Sequence, residues 1–233
     1  MFNQEGHRAR FFDGCDRLDI QRPDWRKVID NLEKRGGASG EQFLRARVLR
    51  TSGEGVLGEL KGSNSRTVLS IAPAAAPPDS VRVALASWVR DENSPLAGVK
   101  CASYAENLLA LQRAGELGMD ELLFLNSKGL WSEGTTSNGF LVTDGKLVTP
   151  DLGSGCLPGT MRAMVLSWAE EMGVLTEERP IGRQELESAP EIFLTSAIRG
   201  VVPVVERDGV KLTVGDVTNS LRDRWRGAVG IPR

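Results

Sequence analysis

From Ser103 to Thr213 the chain alternates helix and strand signals, and that alternation restricts it to helices packed on a mixed sheet. Ser103 followed by Glu106 has capping-box spacing, which predicts a helix from about Tyr104 to about Leu117, stopped by Gly118. Glu121–Leu125 reads as a strand and Asn126–Gly129 as a turn, and strand signals continue through Gly139-Phe140-Leu141-Val142. Asp144-Gly145 is a hairpin turn. Pro158 and Gly159 open a helix running to about Met172, with Gly173 ending it. Glu191–Thr195, Val201–Glu206 and Val210–Thr213 read as strands, the last two joined by Asp208-Gly209.

The first part of the chain is shorter in pattern. Helices are expected over His7–Cys15 and over Trp25–Leu32, the second following Pro23-Asp24. GGASGE (36–41) is a glycine-rich break. Phe43–Arg50 and Val68–Ile71 read as strands separated by the turn-rich TSGEGVLGELKGSNS (51–65). PAAAPP (73–78) is a stiff connector, and Val81–Val89 reads as a further strand. The polar RDENSPLAGV segment (90–99) marks a domain boundary. The expected fold is α+β or mixed: a small N-terminal domain over 1–89, a linker over 90–99, and a larger mixed-sheet domain over 100–233.

Composition excludes several classes of function. With 233 residues, 40% hydrophobic and 26% charged, the chain is an ordinary globular protein with ample length for a core. A net charge of −2 without a basic stripe argues against nucleic-acid binding. No apolar run approaches the roughly 18 residues of a membrane span, and MFNQEGHRAR lacks the apolar stretch of a signal peptide, so a cytoplasmic protein is expected. Three scattered cysteines (Cys15, Cys101, Cys156) and one histidine cannot assemble a zinc site, so they read as free thiols and no metal is expected.

A few residues could carry chemistry. Lys100 stands just before the helix at Tyr104, flanked by the apolar Leu96-Ala97-Gly98-Val99 and Cys101-Ala102. Burial of that kind depresses an amine pKa and suits a Schiff-base lysine, although a lone lysine is far more often solvated. Tyr104, the only tyrosine, lies one helical turn on; its phenol could bond a cofactor oxygen or simply cover the core. Glu133 precedes Gly134-Thr135-Thr136-Ser137-Asn138 and could keep a pyridine nitrogen protonated, or be an exposed loop carboxylate. Gly159-Thr160-Met161 presents N–H groups at a helix start, either a phosphate seat or a plain Pro-Gly start. Thr195-Ser196-Ala197 after a strand is either a second phosphate clamp or a tight turn. Taken in order, a lysine, a carboxylate and two phosphate loops meet the requirements of pyridoxal 5'-phosphate (PLP) catalysis.

That order resembles the class IV aminotransferase family, the fold-type IV PLP enzymes. The family includes branched-chain and D-amino acid aminotransferases and 4-amino-4-deoxychorismate lyases. The matched elements are His7-x-x-Arg10-Phe11, Lys100-x-x-Ser103-Tyr104, Glu133-Gly134-x-x-Ser137-Asn138-x-Phe140, Leu157-Pro158-Gly159-x-x-Arg162, and Phe193-Leu194-Thr195 continuing to Pro203-Val204. They cover almost the whole chain, and the set is specific although each member is weak. The resemblance implies that Lys100 forms the Schiff base and moves protons, and that Glu133 pairs with the pyridine nitrogen. It implies that Tyr104 sits by the phenolic oxygen. Arg10, Thr160, Met161, Ser196 and Ala197 would hold the phosphate, and Thr136 joins the cofactor-contacting set. A homodimer acting on an amino acid-like substrate is also implied.

This sequence departs from the family in three places. Members carry further strands before the histidine-arginine element, which line the substrate side; here His7 is almost the first residue, so that wall is expected to be missing, replaced, or lost from a misassigned start. Branched-chain enzymes place the tyrosine five residues after the lysine, and here it is four. The run TSAIRGVVPV (195–204) is closer to the lyase-type element than to the G-T-A element of the branched-chain enzymes. The expected activity is therefore lyase-like on aminodeoxychorismate, with a branched-chain or D-amino acid aminotransferase as the alternative. A PLP-binding protein with little catalysis is the third possibility.

Overall fold

The computed structural model describes residues 2–37, 43–54 and 64–231. It divides into two compact units, one comprising Met1–Ala76 with Val99–Ala102, the other Pro77–Gly98 with Ser103–Arg233.

In the smaller unit, helices α1 (Gln4–Arg17) and α2 (Trp25–Gly36) precede strands β1 (Leu44–Arg50) and β2 (Thr67–Pro73). The first helix starts at Asn3, whose side chain accepts from the Gly6 N–H at 3.2 Å. The second starts as Pro23-Asp24 predicts, with Asp24 accepting from the Lys27 N–H at 3.3 Å. Val28 and Leu32, one turn apart on α2, are buried, and α2 packs on the antiparallel β1–β2 pair. Trp25 holds the two helices together, with ring centroids 5.5 Å from Phe11 and 5.8 Å from Phe12. Parts of the expected GGASGE break and of the 51–65 turn region lie outside the described residues.

The larger unit is built on a sheet in the order β5-β4-β3-β10-β9-β6-β7-β8, with β11 paired to β10. Its elements in chain order are β3 (Val81–Leu85), α3 (Ala105–Glu116), β4 (Glu121–Leu125), β5 (Trp131–Gly134), β6 (Asn138–Thr143) and β7 (Lys146–Thr149). They continue with α4 (Thr160–Glu171), β8 (Thr176–Glu178), α5 (Arg183–Ser188), β9 (Glu191–Ser196), β10 (Gly200–Arg207), β11 (Val210–Lys211) and α6 (Asp216–Val229). Parallel pairs (β3–β4, β3–β10, β7–β8) and antiparallel pairs share the sheet, so the mixed architecture expected from the alternation is present. Leu122 and Phe124 turn to one face, against Ala110 and Ala114 of α3. Leu123 turns to the other, with Trp131, Leu141, Ile192 and Val202. Phe140 and Phe193, opposite each other in the β6–β9 register, stack with centroids 4.9 Å apart.

Three expectations differ from what is observed. The strand expected over 81–89 ends at Leu85, and it lies in the sheet of the larger unit between β4 and β10. The divide between units accordingly falls at 76/77 rather than at the polar 90–99 segment, and Val99–Ala102 groups with the smaller unit. Helix α3 starts without the capping box: its first turn has no side-chain cap. Glu106 instead accepts from Trp88 Nε1 at 3.1 Å and pairs with Arg90 Nε at 3.4 Å, a tertiary contact that outweighs the local one. Helices α5 and α6 carry no strong start signal in sequence; each begins from a glycine with no side-chain cap. No helix among the described residues is long and apolar enough to cross a membrane.

Candidate active site

Glu133 is the best-anchored of the candidate residues. Strand β5 places it opposite Phe124 of β4, and only 9% of it is exposed. One carboxylate oxygen accepts from Arg90 Nη1 at 2.5 Å. The other accepts from the Leu157 N–H at 2.9 Å and from Asn138 Nδ2 at 3.5 Å. A buried carboxylate needs such donors to stay charged. The loop-glutamate alternative is therefore incompatible with the fold.

Asn138 ties Glu133 to the start of α4. Its amide donates to the Leu157 carbonyl at 2.8 Å. Gly159, the N-cap residue of α4, passes so close to Asn138 that a Cβ there would overlap the amide oxygen. The helix has no side-chain cap, and its first intrahelical bond runs from the Ala163 N–H to the Gly159 carbonyl at 3.0 Å. Thr160 and Met161 are buried in that first turn, where backbone N–H groups and the positive end of the helix dipole lie.

A second carboxylate, Glu121, is fully buried and organises the neighbouring loops. It accepts from the Thr136 N–H and Ser137 Oγ, both at 2.6 Å, and pairs with Arg199. Arg199 also donates to Thr136 Oγ1 at 3.1 Å, and its own N–H donates to Ser196 Oγ at 3.1 Å. Thr136 is thereby linked to the Ser196-Ala197 loop at the end of β9. Asn138 lies opposite Thr195 in the β6–β9 register, and the Thr195 hydroxyl is buried without a hydrogen-bond partner among the described residues.

Tyr104, the residue before α3, feels the charge of both carboxylates. Burial is the main cause that pushes its phenol pKa up, with Glu133 and then Glu121 adding to it against Arg90 and Arg199. Tyr104, Glu133, Thr136, the start of α4 and the end of β9 all belong to the larger unit. Lys100 and Arg10 belong to the smaller unit: Lys100 is in the non-helical 99–102 segment, and Arg10 is on α1 one turn after His7. Burial lowers the pKa of Arg10, and burial together with Arg10 lowers that of His7 to about 4. Among the described residues no group of three or more His, Cys, Asp or Glu could hold a metal ion.

Arg90, Asn138 and Glu121 were not singled out by sequence. Only Asn138 had a signal, through its place in the Glu133-Gly134-x-x-Ser137-Asn138 element. Arg90 and Glu121 meet their partners through pairings many residues apart.

The amino-transferase class IV family model matches residues 1–206. The chain belongs to the class IV aminotransferase family. Members of this family use PLP. A protein of Aquifex aeolicus named "Probable branched-chain-amino-acid aminotransferase" is 38% identical over 155 residues, covering 64% of this chain and 50% of that protein. The chain thus spans about half the length of the curated relatives it matches first. The solved structure of 4-amino-4-deoxychorismate lyase from Pseudomonas aeruginosa is 33% identical with a TM-score of 0.85, covering 96% of this chain and 84% of that one. The branched-chain amino acid aminotransferase of Thermobaculum terrenum, solved in its PLP form, is 25% identical with a TM-score of 0.84, covering 99% of this chain and 80% of that one.

The residues present fit PLP. Glu133 is a buried, oriented carboxylate suited to a protonated ring nitrogen, and Gly159 leaves the start of α4 without a side-chain cap beside it.

Proposed function

We propose that this class IV family member is a PLP enzyme acting on an amino-bearing acid, with an aminodeoxychorismate lyase-like activity. The observation that carries the PLP reading is Glu133, whose two oxygens are held by Arg90 and by the Leu157 N–H directly before an uncapped helix start. In this reading Lys100 holds the cofactor covalently and Glu133 holds its ring nitrogen. Tyr104 faces the phenolic oxygen. Arg10, Thr160, Met161, Ser196 and Ala197 hold the phosphate, and Thr136 also contacts the cofactor.

When bound, PLP serves as an electron sink for the substrate's Cα. The chain's own residues supply the rest. Lys100 would move the proton at the substrate's Cα, taking it and returning one later. Glu133, buried and already held by its donors, would pair with a protonated ring nitrogen without having to be reorganised first. Arg10 contributes a charge that does not titrate near neutral pH, and backbone N–H groups at α4 add directional donors without any charge of their own.

The lyase assignment is supported by the Thr195–Pro203 segment and by 33% identity to the Pseudomonas aeruginosa lyase over 96% of this chain. The alternative, a branched-chain aminotransferase, is favoured by the 38% identity to the Aquifex aeolicus protein. A homodimer belongs to either reading. The two differ in their need for an acceptor. Incubated with aminodeoxychorismate alone, a lyase releases pyruvate over many turnovers. If that substrate is inert while leucine plus 2-oxoglutarate yields glutamate, the aminotransferase reading replaces it.

A further inference from the structure

Arg90 reaches a Glu133 oxygen directly, and nothing in the PLP chemistry above uses it. It lies just after β3. Its backbone N–H donates to the Leu125 carbonyl at 2.9 Å, so the main chain there is fixed to the end of β4. Its side chain is only 14% exposed. The guanidinium carbon sits 4.1 Å from the centroid of Phe124, the residue opposite Glu133 in the β4–β5 register. Nε pairs with Glu106 at 3.4 Å, and Glu106 is itself held by Trp88 Nε1. Nη2 is buried without a hydrogen-bond partner among the described residues. A donor left unpaired is costly, and a guanidinium seated this way would not be expected from packing alone.

We infer that Arg90 is a positioning residue that keeps the Glu133 carboxylate charged and aimed at the cofactor's ring nitrogen; the inference rests on the reading of Glu133 given above. The physical argument concerns where one proton sits. Between a carboxylate and a pyridine it can lie on nitrogen, giving an ion pair, or on oxygen, giving a neutral pair. A fixed cation favours the ionised carboxylate and opposes the pyridinium. Arg90 is in direct contact with the carboxylate, whereas a ring nitrogen would be held through that carboxylate, so the first effect outweighs the second. Arg90 therefore drives the proton onto the ring. The Phe124 face and Glu106 hold the guanidinium so that the direction of the Glu133 bond is set before cofactor binds. The other charged groups near Tyr104, Glu121 and Arg199, are paired with each other and do not replace it.

The test uses the full chain loaded with PLP carrying a nitrogen-15 label in the ring, read by NMR, with Arg90→Gln, Arg90→Met, Arg90→Lys and Glu133→Gln variants. The parent protein is expected to show a protonated ring nitrogen. Arg90→Gln and Arg90→Met should move the signal toward neutral pyridine while PLP stays on the protein, and Arg90→Lys should recover part of the shift. Glu133→Gln is the separate control. If its signal stays like the parent's, the reading of Glu133 fails. If Glu133→Gln shifts the signal while neutral Arg90 variants leave it unchanged, the Arg90 inference fails and the reading of Glu133 stands. Should the neutral variants not retain PLP, Arg90→Lys decides: a partly displaced signal supports the inference, and a parent-like signal overturns it.

Discussion

Asn138 and Leu157 are joined by a 2.8 Å hydrogen bond from the side-chain amide to the backbone carbonyl, which couples strand β6 to the turn before α4. The same amide lies 3.5 Å from Glu133, so one side chain fixes both the candidate ring-nitrogen partner and the candidate phosphate turn. Asn138→Ala leaves the Leu157 carbonyl without this donor. The cost of such a loss is about 1–3 kcal/mol, or about 5- to 150-fold in an equilibrium constant. The expected result is weaker PLP binding in a fluorescence titration, with a lower urea midpoint for the apoprotein.

Close packing, not chain flexibility, accounts for Gly139. A Cβ built there falls on the indole of Trp131, which is fully buried. Gly139→Ala should destabilise the protein by about 1–3 kcal/mol, the usual range for overpacking. Gly115 in α3 is the contrast, since nothing lies within 4 Å of a Cβ built there. Gly115→Ala should stabilise by about 0.5–1 kcal/mol through helix propensity. Urea unfolding of the two variants should give shifts of opposite sign.

Much of the fold was legible because the larger unit obeys local rules. Pro158-Gly159 starts α4, Asp144-Gly145 and Asp208-Gly209 turn with positive φ, and Glu121–Leu125 forms a buried strand. The capping box failed because Glu106 finds Trp88 and Arg90, partners that no local spacing reveals. Strand β3 falls in the larger unit because its partners, β4 and β10, lie about 40 and 120 residues further along the chain, beyond the reach of any local pattern. For the candidate site, residue types and order point to Glu133 and the α4 start as candidates. The Arg90 and Asn138 contacts that hold them depend on tertiary geometry and had to be observed.

Stability should depend on His7 at mildly acidic pH. Its pKa in the folded chain is about 4, held below the ordinary 6.5 first by burial and then by Arg10. Because the folded pKa is the lower one, the unfolded chain binds the proton more readily between those values. Stability contributed by neutral His7 is thus complete above about 6.5 and is lost as pH falls toward about 4. Thermal melts of the parent should drop over this window, and His7→Gln should flatten that part of the profile.

Arg10 is half-buried on α1, and the phosphate-binding role proposed for it has a specific consequence. Arg10→Ala should weaken PLP affinity by about 1.5–3 kcal/mol, the range for hydrogen bonds to charged groups. Arg10→Lys should recover only part, since an ammonium cannot reproduce a planar fork. Equilibrium titration of the apoproteins with PLP measures both, and parent-like affinity would move the phosphate anchor elsewhere.

Lys100 is the proposed carrier of PLP, and chemical trapping tests that role. PLP-saturated protein is reduced with borohydride, digested, and its peptides are analysed by mass spectrometry. One pyridoxyl group per chain is expected, on the peptide containing Lys100, with Lys100→Ala losing both the label and the bound-cofactor absorbance. A label found on another lysine, or no label in PLP-saturated protein, would contradict it.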